Sequence, residues 1–438
     1  MENIERLLNW LDLSTCNFMA VDTIKKELNK AGFHELKQEN KWELIPGEGY
    51  YVIKNGSAIF AFVVGSESPA DEGFRIISAH SDSPCFKIKP NAEIIGDGGV
   101  VSLNVEKYGG GILYTWFDRP LSMSGRVLIE GYDPLHPRVF LVDLKRPVAT
   151  IPHLAIHFNR GVNDGNKLSV QKDMKPVIGY FSRQDIEETM RHGGFVKCIV
   201  ARELGIEPEM ILDYELNLYP CEKAGLVGLH QQYFQSARID DLSMAFAGLE
   251  AMLKAKAAGK TPRATNILAI FDNEETGSGT KQGAASPVLR DIMERISLLR
   301  SDGDRETIYR AIARSFMISA DDAHAWHPNY NEKYDPTNHP VIGGGPVVKI
   351  NANCKYMTDG DGAAAFRTLC DLAGVNCQYF VNHSDVAGGS TLGNISSSQF
   401  DMRGVDMGNA IWAMHSARET AGVSDHIDTV KVFTQFYS

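Results

Sequence analysis

The fold is decided by two neighbouring stretches of the chain, LSMAFAGLEAML (242–253) and NILAIF (266–271). Apolar residues of the first stretch recur at the three- and four-residue spacing of one helix face, namely Leu242, Ala245, Phe246, Leu249, Met252 and Leu253. The second stretch has the length and composition of a buried strand, and another such run follows at Phe316 to Ser319. Helix and strand alternate, which predicts an α/β layer with a central sheet.

The N-terminal part of the chain extends this pattern. Two helical repeats come first, Ile4, Leu7, Leu8 and Leu11, then Val21, Ile24, Leu28 and Ala31, the second ending at Gly32. Short apolar runs then predict successive strands at Tyr51 to Ile53, Ile59 to Val64 and Phe74 to Ser78. The last of these strands leads directly to His80.

The chain between these two parts has a different character. Residues 86–233 contain short strand-like runs and glycine-rich turns, with no long amphipathic repeat before Asp185. A chain of 438 residues also exceeds the size at which one core usually stops growing. We therefore predict an α/β protein with a mixed central sheet flanked by helices. Residues 1–85 and 234–438 are expected to form its discontinuous main domain, and residues 86–233 an inserted β-rich domain.

Composition excludes several classes of partner. The net charge is −11 without a basic cluster, so no nucleic-acid partner is expected. No apolar stretch approaches the ~20 residues that span a bilayer, and Met1 to Asn9 carry charges unlike those of a signal peptide. The seven cysteines form no CxxC pair, which favours a reducing compartment. We expect a cytoplasmic protein, with no membrane association and, since no complete phosphate-binding motif occurs, no nucleotide.

Polar residues follow two of the predicted strands. In SAHSD (78–82), His80 and Asp82 point to the same side of an extended backbone, so the carboxylate can orient the imidazole. In DNEETGSG (272–279), Glu274 and Glu275 diverge, so one can bind metal while the other handles a proton. Taken alone, the first motif is more readily a surface loop, and paired glutamates are usually solvated.

Three further residues have similar settings. Asp240 stands at the start of the predicted helix, where a capping role is favoured by roughly two to one if the motif is taken alone. Asp321 follows the apolar strand at 316–319, and His415 follows another apolar run. A lone histidine in such a place is more often structural than a ligand.

Together these residues supply the ligand types of a dinuclear metal site: two histidines and three carboxylates as ligands, and one further glutamate that need not bind metal. Nitrogen and oxygen ligands without thiolates suit zinc, cobalt or manganese. Two divalent cations and three carboxylates leave a net local charge of about +1, which favours ionisation of a bound water and polarisation of a carbonyl. The inventory therefore indicates metal-assisted hydrolysis.

Over nearly its full length, the chain also resembles the aspartyl aminopeptidase family of dinuclear metallopeptidases. The resemblance rests on separate blocks in a shared order: SAHSDSPCFKIKP, VEKYGGGILYTWFDRPLSMSGRV, IPHLAIHFNR, ARIDDL, FDNEETGSGTKQGA, ISADDAHAWHPNY, GPVVKIN and AMHSARE. It implies two metal ions, most simply zinc, in an aminopeptidase that prefers Asp or Glu at the N-terminus of a peptide substrate.

The resemblance also implies roles for individual residues. The implied metal ligands are His80, Asp240 (bridging), Glu275, Asp321 and His415. Glu274 would be the general base acting on metal-bound water, and Asp82 would steady His80. His324 and Lys349 would line the substrate pocket, and His157 would reach a neighbouring subunit's site. The central sheet would be phosphorylase/hydrolase-like, and residues 1–85 and 234–438 would form the catalytic metallopeptidase domain. The insertion would drive assembly into a tetrahedral dodecamer built from dimers.

Alternatives stay open at this point. Lys349 taken alone is as readily a strand-flanking surface lysine, and the N-terminal preference could be neutral or broad. A dinuclear deacylase or carboxypeptidase could use a similar scaffold. A non-catalytic self-assembling shell is a third interpretation, against which stands the presence of all six core residues.

Overall fold

The computed structural model describes residues 2–438, and side chains from Ile4 onward; Met1 lies outside the described residues. The chain divides into two compact units. The first comprises Met1–Asp82, Ala224–Met414 and Glu419–Ser438, and the second comprises Ser83–Lys223 and His415–Arg418. The predicted insertion, 86–233, therefore extends ten residues too far at its C-terminal end. Residues 224–233 lie in the first unit because the strand 225–227 pairs with the strand 233–236, which in turn pairs with the strand 419–422 near the C-terminus.

The main sheet of the first unit is mixed, and its strands run in the spatial order β1-β2-β3-β13-β4-β14-β18-β16-β17. With strands numbered along the whole chain, their bounds are β1 (His34–Glu35), β2 (Gly49–Lys54), β3 (Ala58–Val63), β4 (Phe74–His80), β13 (Thr265–Phe271), β14 (Phe316–Ala320), β16 (Val347–Ile350), β17 (Gln378–Val381) and β18 (Arg403–Gly408).

Strand β4 lies at the centre of this sheet and is parallel to both β13 and β14. Its neighbours are aligned so that Ile77 faces Leu268 on one side and Ile318 on the other. All three of these side chains are fully buried. Parallel sheets are normally covered on both faces, which accounts for the continuous apolar runs in these strands.

A smaller sheet also belongs to the first unit, in the order β11-β12-β20-β19-β15. Its strands are β11 (Gly225–Val227), β12 (Tyr233–Ser236), β15 (Ala323–His324), β19 (Ala410–Trp412) and β20 (Glu419–Gly422). The antiparallel pairing of β12 with β20 joins residues nearly two hundred positions apart. This pairing delivers the chain from Ser236 to the start of a long helix.

The helices of the first unit cover both faces of the main sheet. They are α1 (Glu2–Leu13), α2 (Asn17–Lys30), α3 (Pro69–Glu72), α7 (Ile239–Ala257), α8 (Val288–Leu299), α9 (Glu306–Arg314), α10 (Gly360–Ala373), α11 (Leu392–Ser397) and α12 (Val423–Tyr437). One core packs α1, α2, α7, α10 and α12 against one face, and α8 and α9 cover the other. Each large apolar side chain buried there contributes roughly 1.5–3 kcal/mol.

The second unit is built on an antiparallel sheet in the order β8-β7-β10-β5-β6-β9. Its strands are β5 (Cys85–Ile95), β6 (Val100–Tyr108), β7 (Leu121–Ile129), β8 (Arg138–Asp143), β9 (Val177–Tyr180) and β10 (Ile211–Pro220), and its helices are α4 (Val170–Asp173), α5 (Arg183–Arg191) and α6 (Phe195–Leu204). It has its own core, in which Phe86 meets Trp116 edge to face at 5.0 Å.

The predicted architecture is confirmed: a mixed sheet flanked by helices, with the two N-terminal helices and the strands around His80 where the patterns placed them. In residues 2–438, no cysteine forms a disulfide. Within the same described part of the chain, no helix combines the length and hydrophobicity needed to cross a bilayer.

Candidate metal centre

The candidate site residues gather at the carboxyl ends of the central strands. His80 is the last residue of β4 and pairs in register with Phe271, the last residue of β13. Asp321 directly follows β14. Parallel strands end at the same edge of a sheet, so these residues are brought to one place although the chain separates them widely.

His80 is held by hydrogen bonding on one ring nitrogen. Its side chain is 1% exposed, and Nδ1 lies 3.0 Å from the backbone oxygen of Asp82. This contact favours the tautomer with the proton on Nδ1, which leaves Nε2 as the free lone pair. Nε2 lies 3.5 Å from Oδ1 of Asp240. The ring is therefore oriented as a metal-ligand histidine requires.

The side chain of Asp82 organises the turn that follows β13. Its two carboxylate oxygens accept hydrogen bonds from the backbone N–H groups of Glu274 (3.1 Å) and Glu275 (3.2 Å). These glutamates occupy the short helical turn Glu274–Thr276 and are partly buried. The predicted neighbourhood of His80, Asp82 and the glutamate pair is thus present in the structure.

The two aspartates at the start of α7 are both buried. Asp241 accepts a hydrogen bond from the backbone N–H of His80 at 3.0 Å, and the backbone N–H of Asp240 donates to Glu419 at 3.1 Å. The N-cap position itself is occupied by Arg238, which makes no side-chain capping bond. The backbone conformation becomes helical only after Asp241, so both aspartates lie in a non-helical segment before the helix proper.

The aspartates after β14 are also buried. Asp322 accepts a hydrogen bond from the hydroxyl of Ser243 at 2.9 Å, and Oδ2 of Asp321 lies 3.5 Å from Nζ of Lys349. Lys349 is 3% exposed and also faces the ring of Tyr356 at 5.7 Å. The interpretation of Lys349 as a surface lysine is wrong, because its ammonium group is enclosed beside the acidic cluster.

Four side chains could hold a cation together. His80, Asp240, Asp241 and Asp321 each offer one ligand atom, all four atoms lie within 4.8 Å of one another, and all four residues are buried. One nitrogen and three oxygens form a donor set suited to zinc and similar divalent ions. A buried group of carboxylates without bound cations is electrostatically costly, so the residues present fit a metal site.

The raised pKa values of the buried carboxyl groups reflect the unfavourable energy of ionising them in the absence of a cation. Burial, together with repulsion from neighbouring carboxylates, raises the pKa of Asp241 and of Asp322 well above the usual value. Burial raises the pKa of Glu274 to about 8, with further increases from Asp321, Glu275 and Asp240 and an opposing effect from His80. A bound cation would reverse these shifts by favouring the charged forms.

The two basic side chains show the opposite balance. Burial lowers the pKa of His80, but the nearby charges of Asp241, Asp240 and Asp82 outweigh it and the net pKa is raised. Burial likewise lowers the pKa of Lys349, and the carboxylate of Asp321 makes the largest contribution to a net increase. Lys349 therefore stays charged beside the cluster.

Three other predicted residues are not members of the group formed by His80, Asp240, Asp241 and Asp321. His324 is exposed in β15, its ring 5.8 Å from that of Phe380. His157 is exposed in the second unit. His415 falls in the four-residue segment that clusters with the second unit and links β19 to β20 along the chain; there its Nδ1 lies 3.3 Å from the carbonyl oxygen of Gly110.

Sequence reasoning missed three acidic residues of this neighbourhood, Asp241, Asp322 and Glu419. Each of the two aspartates is the second member of an Asp-Asp pair, and the pairing was the available signal, since a helix cap or a single ligand explains only one of them. Nothing in the local sequence distinguishes Glu419, which acts through the backbone N–H of Asp240.

The family profile described as "Aminopeptidase I zinc metalloprotease (M18)" matches residues 10–437. The chain belongs to the M18 family of zinc aminopeptidases. Two curated M18 relatives, each named probable M18 family aminopeptidase 2, align over almost their whole length. The protein of Clostridium novyi is 46% identical, covering 99% of this chain and 98% of its own, and that of Clostridium acetobutylicum is 47% identical, covering 100% and 99%.

Solved structures agree with this M18 assignment. The structure of the complex of Ape4 and Nbr1 has a TM-score of 0.94 at 34% identity, covering 99% of this chain and 85% of the other. The structure of the mApe1 dodecamer of S. cerevisiae has a TM-score of 0.85 at 26% identity, covering 99% and 95%. This M18 chain is thus a metallo-aminopeptidase, a hydrolase of peptides, from a family of zinc enzymes.

Proposed function

We propose that this M18 aminopeptidase removes acidic N-terminal residues from peptides with two metal ions and Glu274 as the general base. The observation that carries the proposal is the buried group of His80, Asp240, Asp241 and Asp321. Charges of this group also shift the pKa of Glu274, so Glu274 lies near it. Such a group has no structural use in a core that could have been apolar, because buried carboxylates cost several kcal/mol each unless a cation compensates them.

The proposed ligands are His80, Asp240, Glu275, Asp321 and His415, with Asp240 bridging and zinc as the metal. Asp240 suits this position because it lies beside Nε2 of His80 and its backbone is tied to Glu419. When bound, two such ions polarise the scissile carbonyl, make water more acidic and stabilise negative charge on the reacting oxygen.

Glu274 is proposed to move the proton. Its carboxylate takes a proton from the attacking water and later gives it to the leaving amine, a role that needs a pKa near the working pH. Burial is the main cause of the pKa of about 8 at Glu274, and nearby cations would lower this pKa toward 7. The hydrogen bond from its backbone N–H to Asp82 holds the turn while the side chain acts.

An acidic preference is proposed because Lys349 supplies a buried, permanently charged ammonium group beside the cluster. In the absence of substrate its nearest carboxylate is that of Asp321, at 3.5 Å. A substrate Asp or Glu side chain could share this ammonium, and His324 is proposed as a second group of the pocket. A neutral or broad preference is the competing outcome.

Assembly into a homo-oligomer, as a tetrahedral dodecamer built from dimers, is also proposed. It is supported by the similar S. cerevisiae protein, whose structure is that of a dodecamer, and by exposed apolar residues around His157. Leu154 is 56% exposed, Ile156 48% and Phe158 82%. Buried against another subunit, this segment could carry His157 to a neighbouring site. The proposed location is cytoplasmic.

The function can be tested with chromogenic Asp, Glu, Leu and Lys substrates, alongside acetylated and C-terminal substrates, on the metal-replete enzyme. We expect cleavage of free N-termini with Asp and Glu preferred, and two metal ions per subunit by elemental analysis. Cleavage of acetylated substrates would instead indicate a deacylase, and release of C-terminal residues a carboxypeptidase. Failure to hydrolyse any of them would support a non-catalytic shell.

The preference itself is tested with Lys349→Met, using the exposed Lys355→Met as the matched control. We expect the ratio of kcat/KM for Asp over Leu to fall on the order of 10–100-fold, the value of one charge-assisted contact. Metal content must be measured as well, since Lys349 contacts Asp321. An unchanged ratio at full metal content would remove Lys349 from the substrate pocket.

A further inference from the structure

A cavity lies within the first unit, at the opposite end of the central strands from the metal centre. Its volume is about 540 Å³, and its lining includes Arg75 of β4, Asn266 of β13 and the C-terminal part of α7. Arg75 pairs in register with Asn266, five residues before the pair formed by His80 and Phe271. At ~3.3 Å per residue, this separates the cavity from the metal-binding edge by roughly 17 Å.

Arg75 is the unusual group in this cavity. Its side chain leaves β4 on the same face as Ile77, which packs under α7 and α12. Of the five N–H donors in its guanidinium, one donates to the backbone oxygen of Glu72 at 3.2 Å. Among the described residues, no carboxylate forms an ion pair with Arg75, because the carboxylate of Glu72 is engaged by Arg263. Burial lowers the pKa of Arg75, and the charge of the nearby Glu72 carboxylate offsets only part of that effect.

A second cation lines the same cavity. Lys260 is exposed and makes no hydrogen bond or ion pair with another described residue. Lys256, by contrast, already donates to the backbone oxygen of Gly47 at 2.6 Å. The lining contains four basic and two acidic side chains, in a protein whose net charge is −11. The local positive charge is therefore opposite to that of the whole molecule.

The wall of the cavity presents polar and apolar surface in similar amounts. Val63, Met252 and Phe436 contribute to it and are themselves buried. A volume of this size lies within the range of small-molecule pockets, which typically combine apolar walls with a few polar groups. The cavity therefore offers both a place for a negatively charged group and a surface for a hydrocarbon portion.

We infer that this cavity binds a small organic anion. Its carboxylate or phosphate group pairs with the guanidinium of Arg75 and with Lys260, and its apolar part packs against Ala255 and Phe436. The planar fork of an arginine matches the two oxygens of either headgroup, which is why the headgroup chemistry is shared. The site is separate from peptide hydrolysis.

The inference is tested by isothermal titration calorimetry on the full-length, metal-replete protein. The probes are hexanoate, inorganic phosphate and the neutral analogue hexanol. The variants are Arg75→Gln, Lys260→Gln and, as a control with the same change of charge on the other face of the sheet, Arg290→Gln. Lys260 is exposed, so its variant should fold even if Arg75→Gln does not.

We expect hexanoate or phosphate to bind the wild-type protein and the two anions to identify the preferred headgroup, while hexanol binds at least tenfold more weakly. Binding should weaken at least tenfold in Arg75→Gln and about threefold in Lys260→Gln, and be unchanged in Arg290→Gln. Failure of both anions to bind the wild-type protein would overturn the inference. So would binding that is the same in the wild-type protein and both cavity variants, since this would place the anion at the metal centre or elsewhere.

Discussion

The carboxylate of Asp82 accepts a hydrogen bond from the backbone N–H of Glu274 at 3.1 Å, and this contact joins the ends of two neighbouring parallel strands. The backbone oxygen of the same aspartate faces Nδ1 of His80. One residue therefore positions a proposed metal ligand through its main chain and the proposed base through its side chain. Its replacement should affect both functions together.

Replacing Asp82 with alanine should lower metal affinity and kcat/KM each by about 10–100-fold, the usual effect of removing a group that orients metal ligands. The carboxylate would no longer hold the turn that carries Glu274 and Glu275. Steady-state kinetics and metal titration provide the measurements. Asp12→Ala is the matched control, since Asp12 also accepts a backbone N–H, that of Ala224, away from the site. Equal losses in both variants would indicate a general effect on folding.

Replacing Glu274 with glutamine should lower kcat by roughly 10²–10⁴-fold, the contribution of general acid–base catalysis, because an amide cannot accept the proton. The metal content of the variant should equal that of the wild-type enzyme, since Glu275 rather than Glu274 is the proposed ligand. Elemental analysis and single-substrate kinetics measure the two quantities. Glu67→Gln, at the surface, controls for the change in charge. A variant that kept most of its turnover would show that another group is the base.

The metal-free protein should lose stability as the pH rises from about 4.5 to about 8. Its folded-state pKa at Glu274 is raised to about 8 from an ordinary 4.5, so the folded state binds more protons than the unfolded state throughout that window. The raised pKa values of Asp241 and His80 act in the same direction. Each group changes the free energy of unfolding by at most roughly 1.4 kcal/mol per pH unit.

This pH dependence can be measured by urea unfolding of chelated and metal-replete protein at pH 5, 6, 7 and 8. Bound cations favour the ionised carboxylates, so the metal-replete protein should show a much smaller decline. Chelation should also abolish activity, which returns when metal is restored. If the chelated protein became more stable between pH 5 and pH 8, the acidic cluster would not govern its stability.

Replacing His426 with leucine should raise the free energy of unfolding by about 1–2 kcal/mol at pH 7, because a buried polar group left unsatisfied costs about 1–3 kcal/mol and leucine of similar volume avoids that cost. His426 is fully buried against Phe246, and neither ring nitrogen has a hydrogen-bond partner among the described residues. Urea unfolding measures the change, and kcat should be unaltered.

The same substitution should alter the acid side of the stability profile. Burial lowers the pKa of His426 to about 3. Between pH 6.5 and pH 3, His426 is therefore protonated in the unfolded state and neutral in the folded state. The contribution of His426 to the free energy of unfolding of the wild-type protein therefore falls as the pH drops from 6.5 toward 3, and His426→Leu should lack this loss. The surface variant His230→Leu should follow the wild-type curve. A destabilised His426→Leu protein would mean that its ring has a partner, such as a buried water.

Local patterns were sufficient for the elements that dominate the fold. The helical spacing from Leu242 to Leu253 and the apolar run 266–271 correspond to α7 and β13, because both are long or strongly apolar and packed in the main core. Strands β11 and β12 could not be assigned to a unit in the same way. Strand β11 pairs with β12, and β12 pairs with β20 near the other end of the chain, a distant pairing that no local pattern indicates.

The candidate site was also predicted only in part from the sequence. Acidic residues at strand ends could be recognised individually, since parallel strands bring their carboxyl ends to one edge. The burial of both aspartates in each pair could not be recognised, because the local sequence does not show which other elements pack around them. The burial of Lys349 likewise could not be predicted from the sequence, because Asp321 and Tyr356, which lie beside it, belong to other parts of the chain.

The insertion between β4 and β13 has a consequence for the order in which the sheet is completed during synthesis. About 185 residues separate the end of β4 from the start of β13, its neighbour in the sheet. At ~5–20 residues per second, a ribosome needs on the order of 10–40 s to produce the intervening chain. Throughout that interval the apolar strand around Ile76 and Ile77 lacks both central neighbours. Protection of nascent β4 is thus a requirement that this chain order places on its synthesis.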